Sequence, residues 1–284
     1  MQWISDSSIL IVGLGLIGGS YAKALRTLGF HVAAIDVDPK AIDYALENGI
    51  IDRGSTVPDP ALLGAADAVI FGLYPGVFKQ WIAENQHLLK SGALLTDVTG
   101  VKACIVDDIQ TMLRPDVEFI AAHPMAGREL SGVENSDPAI FRGANYIVTP
   151  TERNTQAAID WCKSLGRILG FANISTLTPA EHDEMIGFLS QLTHCIAVSL
   201  MTCTDLRHLA AYTGDSFRDL TRIARINDRM WSELFLCNKE PLLRQMDLFL
   251  AEFSALRDLL AEENRPALRE KMRLSTERRA HFDK

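Results

Sequence analysis

Gly13, Gly15 and Gly18 stand in the spacing GxGxxG, with Leu16 and Ile17 between the last two, a pattern that can cradle a dinucleotide. Gly13 permits a tight turn, Gly15 lets a pyrophosphate approach the backbone, and Gly18 lets a helix pack closely on a strand. The N–H groups and macrodipole of that helix favour phosphate charge. Asp36 lies 23 residues after Gly13, near the roughly 20-residue offset at which a carboxylate accepts hydrogen bonds from the adenosine ribose. It repels a 2′-phosphate, and no Arg or Lys directly follows it, so NAD is expected over NADP. His123 opens the segment His123-Pro-Met-Ala-Gly127 directly after an apolar run. A histidine at the carboxyl end of such a strand faces the ligand crevice, although a lone histidine can simply end a strand. Arg218, Arg222, Arg225 and Arg229 recur at four, three and four residues, which predicts one helical face, with Asn227-Asp228 as a break before its last member.

These groups need elements to hold them. Apolar runs at 9–12, 31–35, 68–71, 93–96, 117–121, 144–149 and 171–174 read as strands, alternating with helical patterns at 17–28, 39–48, 77–89, 101–113 and 155–169. Such alternation argues for parallel βαβ units. After Thr178-Pro179 no convincing strand appears, and helices are predicted at 179–209, 215–226, 228–237 and 239–264, followed by a break at Pro266 and a charged tail. The expected fold class is α/β, with a Rossmann-like dinucleotide-binding domain at 1–177 and an all-α substrate-binding and dimerisation domain at 178–284.

Composition narrows the function further. The chain has 284 residues, 48% of them apolar, so it can form a core and is not disordered. With 28 basic against 36 acidic residues the net charge is −8, which disfavours nucleic acid, whose binding requires phosphate neutralisation. A small anion would need the cations gathered in one electropositive pocket. The five cysteines are odd in number and lack zinc-knuckle spacing, so no metal is expected and buried thiols in a reducing compartment are. Met1-Gln-Trp-Ile-Ser-Asp has no signal-peptide pattern. The apolar stretch at 186–203 is interrupted by Gln191, Thr193 and His194 and is short against the ~20 residues of a membrane span. A buried helix in a soluble, cytoplasmic protein follows.

The chain resembles the prephenate/arogenate dehydrogenase family across nearly its whole length. The resemblance is carried by Gly13 to Gly18, Thr96-Asp-Val-Thr-Gly-Val-Lys102, His123 to Gly127 with Glu129 and Ser131-Gly-Val-Glu134, His182-Asp183, Ser190-Gln-Leu-Thr-His194, Gly214 to Arg222, and Met230-Trp231. It implies NAD-dependent oxidative decarboxylation of prephenate, with the ring C4 hydride passing to NAD⁺ and the ring carboxylate leaving as CO₂. It further implies that His123 accepts a hydrogen bond from the ring 4-hydroxyl, a role that suits a neutral imidazole. Arg222 matches an arginine that grips a substrate carboxylate, and we expect it to face inward. His194 matches a histidine near the substrate side chain, Glu129 a glutamate at the entrance that can pair with an arginine, and Trp231 a family tryptophan. Asp219, one turn before Arg222, is placed to orient it.

Two positions depart from the family pattern. Gly100 stands where many relatives have a serine at the 4-hydroxyl, leaving Thr99 as the nearby hydroxyl, and Gln191 stands where they have a first histidine. Neither a regulatory ACT domain nor a fused chorismate mutase is expected. Arg128, after Gly127, favours a keto-acid over the amino acid of arogenate, the nearest alternative substrate. A β-hydroxyacid dehydrogenase needs a catalytic lysine, and none lies between Lys163 and Lys239. A non-catalytic NAD-binding regulator needs no His123. Leu242, Met246, Phe249, Phe253, Leu256 and Leu260 form an apolar stripe that suits either a monomer core or a homodimer interface; we expect a homodimer, with no membrane partner.

Overall fold

A computed structural model of the chain describes residues 7–205 and 207–283. The N-terminal residues read for targeting, and one position in the predicted 179–209 helix, lie outside these. The first layer alternates β1 (Ser8–Val12), α1 (Leu16–Thr27), β2 (His31–Ile35), α2 (Pro39–Glu47), β3 (Arg53–Ser55), α3 (Pro60–Ala65), β4 (Ala68–Phe71), α4 (Pro75–Asn85), β5 (Leu94–Asp97), α5 (Val106–Met112) and β6 (Glu118–Phe119). The six strands are parallel in the order β3-β2-β1-β4-β5-β6. That order reverses beside β1, which opens the ligand crevice at the carboxyl ends of the strands. Ile9 and Ile11 feed one core and Leu10 and Val12 the other. Burial on both faces is why β1 reads as an unbroken apolar run.

The predicted strand at 117–121 is divided in two. Ile120 still pairs with Leu95, but the chain then crosses to a second sheet of β7 (Ala121–Met125), β8 (Asn145–Thr149) and β9 (Asn173–Thr176), with α6 (Gln156–Ile168) between the last two. Here β7 runs antiparallel to β8, so the sheets are not parallel throughout. β3 escaped the sequence reading because Arg53-Gly-Ser55 has no apolar run.

Helices follow: α7 (Pro179–Ile186), a π-helical turn at Gly187–Leu192, α8 (Thr193–Thr202), α9 (Asp215–Thr221), α10 (Asp228–Cys237), α11 (Lys239–Ala261) and α12 (Arg265–Arg279). Thr178 and Glu181 close a capping box at the start of α7. The helix expected to reach 226 stops at Thr221 in a 3₁₀ turn, Arg222–Ala224. The charged tail is helical as far as Arg279, because Asn264 caps α12 and Pro266 lies in its first turn, where proline is tolerated. Pro179–Thr202 forms a continuous 24-residue helix long and apolar enough by composition to cross a membrane, longer than the apolar stretch suggested.

By compactness the chain divides after Asn238, whereas the sequence reading placed the boundary near 177. Hydrogen bonds cross the earlier position: Lys102 and Ala103 donate main-chain N–H to Asp183, and Gly76 N–H donates to Glu233. In the second unit, Lys271 of α12 pairs with Glu252 of α11 at 2.5 Å. Phe253 and Leu260 are exposed on α11, so the apolar stripe is not a closed core. The five cysteines are free, but only Cys162 is buried, against the expectation for all of them.

Candidate active site

The β1–α1 turn has the stereochemistry its glycines suggested. Gly13 takes φ +97°, and a Cβ there would lie 2.6 Å from the Gly72 carbonyl oxygen; one at Gly18 would lie 1.9 Å from that of Gly13. At Gly15 a Cβ would meet nothing within 4 Å, so space stands open over the start of α1. Asp36 Oδ2 accepts Leu14 N–H at 2.6 Å and Oδ1 accepts Asp38 N–H at 2.9 Å. The acid, directly after β2, thus braces the glycine turn. These residues fit a dinucleotide: the open backbone at Gly15 admits a pyrophosphate, and Asp36 is placed for a ribose.

Gly15, Leu16, Ile17 and Gly18 line a cavity of about 860 Å³ that also reaches Thr99, Gly100, His123, Arg128, Glu129 and His194. Met230, Trp231 and Leu234 of α10 and Ile186 of α7 supply apolar wall. The charged lining holds Arg128 and Arg225 against Glu129 and Glu134, so it is mixed where an electropositive pocket was expected.

His123 sits in β7 with its Nδ1 2.9 Å from His182 Nε2, and His182 Nδ1 is 2.7 Å from Asp183 Oδ1. Burial, then the neighbouring His182 and the Lys102 charge, hold the His123 pKa well below the ordinary imidazole value. The ring is therefore neutral at pH 7. A Cβ on Gly100 would lie 3.9 Å from His123 Nε2, so the missing serine leaves room directly beside the imidazole.

Thr99 lines the cavity, but its hydroxyl is engaged elsewhere. It donates to Asp97 and lies 3.0 Å from the Val101 carbonyl, while Lys102 Nζ donates to it at 3.1 Å. Lys102 Nζ also bonds Asp97 Oδ2 at 2.6 Å and the Thr99 carbonyl at 3.0 Å. Thr99 therefore belongs to a buried ion-pair cluster that borders the cavity.

Arg222 does not face inward as expected. Because α9 ends early, Arg222 is 63% exposed and paired with Glu129, and the nearby arginine that lines the cavity is Arg225. Asp219 is exposed on α9, and Arg222 takes Glu129, not Asp219, as its ion-pair partner among the described residues. Arg128 lines the cavity and pairs with Asp137 at 2.8 Å. His194 donates Nδ1–H to the Ser190 carbonyl at 2.8 Å and stacks on Trp231 with centroids 3.7 Å apart. Burial lowers its pKa. Gln191 replaces a histidine to a structural end: its amide donates to the Leu234 carbonyl at 3.0 Å and accepts from Asn238 at 2.7 Å, fastening α10 to the π-turn.

Fold and site together define a two-part enzyme class, with a dinucleotide crevice whose strand ends meet a helical wall. Residues 21–170 match the prephenate dehydrogenase nucleotide-binding domain, and residues 178–274 the prephenate dehydrogenase dimerization domain. The Bacillus subtilis prephenate dehydrogenase is 30% identical over 93% of this chain and 72% of its own. The structure of A. aeolicus prephenate dehydrogenase with hydroxyphenyl propionate and NAD⁺ is 30% identical, covers 99% of this chain and 100% of that one, and superposes with a TM-score of 0.90. Synechocystis arogenate dehydrogenase is 25% identical over 97% of this chain and 100% of that one, with a TM-score of 0.82. The chain belongs to the prephenate dehydrogenase family.

Proposed function

We propose that this chain is an NAD-dependent prephenate dehydrogenase that converts prephenate to 4-hydroxyphenylpyruvate and CO₂ in tyrosine biosynthesis. The observation that carries this reading is the presence of His123 in one cavity with the glycine turn. When bound, NAD⁺ supplies the hydride acceptor. Gly13, Gly15, Leu16, Ile17 and Gly18 hold its pyrophosphate and Asp36 its ribose. His123 accepts a hydrogen bond from the ring 4-hydroxyl and draws on its proton as C4 loses hydride. It leaves the proton on the phenol oxygen as CO₂ departs. Ile186, Met230, Trp231 and Leu234 keep water from the departing carboxylate, whose loss is favoured by desolvation.

Arg225 lines the cavity and has no ion-pair partner among the described residues, so it joins Arg128 and His194 in binding the anionic substrate. Arg222 neutralises Glu129 at the mouth. Arg222→Ala raises KM for prephenate by up to about fivefold with little change in kcat, the scale of an exposed ion pair. Adding Glu129→Gln restores KM. A loss well above tenfold that Glu129→Gln leaves in place would mean that Arg222 grips the substrate itself.

Wild-type enzyme uses NAD⁺ far better than NADP⁺. Asp36→Ser with Val37→Arg relaxes or reverses the preference; Val37 is 89% exposed and leaves room for the guanidinium. Preference for NADP⁺ in the wild type would remove Asp36 from the ribose. Glu129 and Glu134 in the lining favour arogenate, with its ammonium group, as the second reading. Steady-state turnover of prephenate and arogenate, each with NAD⁺ and NADP⁺, decides both questions, and no turnover of either leaves a nucleotide-binding regulator.

We also propose a soluble, cytoplasmic homodimer joined through the helical part. Support comes from the match to a dimerization domain and the exposed Leu248, Phe253 and Leu260 on α11. Light scattering on the eluting protein measures the mass directly.

A further inference from the structure

We propose that His182 and Asp183 are positioning residues that hold His123 with its proton on Nδ1 and the lone pair of Nε2 free for the substrate hydroxyl. The inference deepens the proposed function and rests on it for the identity of that hydroxyl.

The argument starts at the buried end. Asp183 Oδ1 accepts the main-chain N–H of Lys102 at 2.8 Å, and Oδ2 that of Ala103 at 2.8 Å. Amides can only donate, so they fix the orientation of an acceptor carboxylate. The third polar atom on this carboxylate is His182 Nδ1, 2.7 Å from Oδ1, and it must therefore carry hydrogen. Burial holds the His182 pKa below its ordinary value despite the hydrogen bond to Asp183, which acts the other way. The ring carries one proton at neutral pH, and its Nε2 is bare.

That bare nitrogen lies 2.9 Å from His123 Nδ1. Two lone pairs do not bond, so His123 supplies the hydrogen from Nδ1. His123 is likewise singly protonated, its pKa lowered by burial, and its Nε2 is left as an acceptor. The His182 and Asp183 side chains are 0% and 2% exposed, so little water competes for the chain. The Asp183 main-chain carbonyl is itself held by Asn238 Nδ2 at 2.8 Å. Hydrolytic triads use the same logic, with a buried carboxylate setting an imidazole tautomer; here a second imidazole stands between. The opposite tautomer at His123 would point N–H at a hydroxyl whose own proton must be drawn away.

The test combines ring-nitrogen NMR on ¹⁵N-histidine-labelled protein with two variants. In the wild type, His123 and His182 are both expected as Nδ1–H tautomers. His182→Phe keeps the ring volume and removes the acceptor, so His123 loses its tautomer preference. It is expected to lower kcat by about 10–100-fold, the scale found when the partner that orients a metal-ligating imidazole is removed, with KM changed less than about threefold. His182→Gln offers a carbonyl oxygen to His123 Nδ1 and recovers most of kcat. The proposal is overturned by an Nε2–H tautomer at His123 in the wild type, or by wild-type kcat in folded His182→Phe. Equal losses in both variants with the His123 tautomer unchanged would also overturn it, since that is a purely structural effect. If the wild type turns over neither prephenate nor arogenate, the proposed function fails, while the NMR tautomers still decide the relay.

Discussion

His123→Asn lowers kcat by about 10²–10⁴-fold, the usual worth of positioned acid–base help, and leaves KM nearly unchanged. The substitution keeps a polar side chain but removes the nitrogen that the proposed mechanism sets against the 4-hydroxyl, whose polarisation grows only as hydride leaves. An interaction made mainly in the transition state shows in kcat and kcat/KM together. Stopped-time assays of NADH formation against prephenate measure both, and near-normal kcat would take His123 out of the mechanism. The wild-type pH profile carries a second sign of the same group. Because burial holds the His123 pKa well below the ordinary value, the active neutral form persists as pH falls through 6.5, and the acid limb of kcat/KM lies below that point.

Lys102→Met costs about 3–5 kcal/mol of stability, the range for removing one partner of a buried ion pair. The Lys102 and Asp97 side chains are both 0% exposed. Asp97 keeps its bonds from the Thr99 amide and the Ala122 amide, at 3.0 and 3.1 Å. It loses the ammonium, and water cannot replace it there. Thermal unfolding of the unit that ends at Asn238 should shift down by roughly 10 °C. The same change removes a positive charge that lowers the His123 pKa, so the acid limb of the pH profile moves to higher pH. A variant of unchanged melting temperature and unchanged profile would show that neither the pair nor its field matters.

Elements that depend on neighbours along the chain could be read from the residues alone. The glycine spacing demanded a turn at Gly13 because only that residue type accepts φ +97°. Asp38 with Pro39 started α2, and Asn227 started α10, because caps act within three residues. The residues suggested a strand ending just before His123, but the chain carries it mid-strand in β7, paired with Ile147, and the pairing of Glu129 with an arginine came from the family resemblance alone. Tertiary structure decided the rest. Which arginine faces the cavity turned on where α9 stops: a 3₁₀ turn has three residues per turn in place of 3.6, so the four-and-three spacing ceased to mark one face, and Arg225 lines the site while Arg222 meets Glu129 at its mouth. Thr99 looked available until the fold brought Lys102 and Asp97 onto its hydroxyl. His182 bonds His123 across 59 residues of chain, and no periodicity or capping rule reaches that far. Local backbone preference can be read along a sequence, whereas the partner a buried polar group finds is set by which elements pack together.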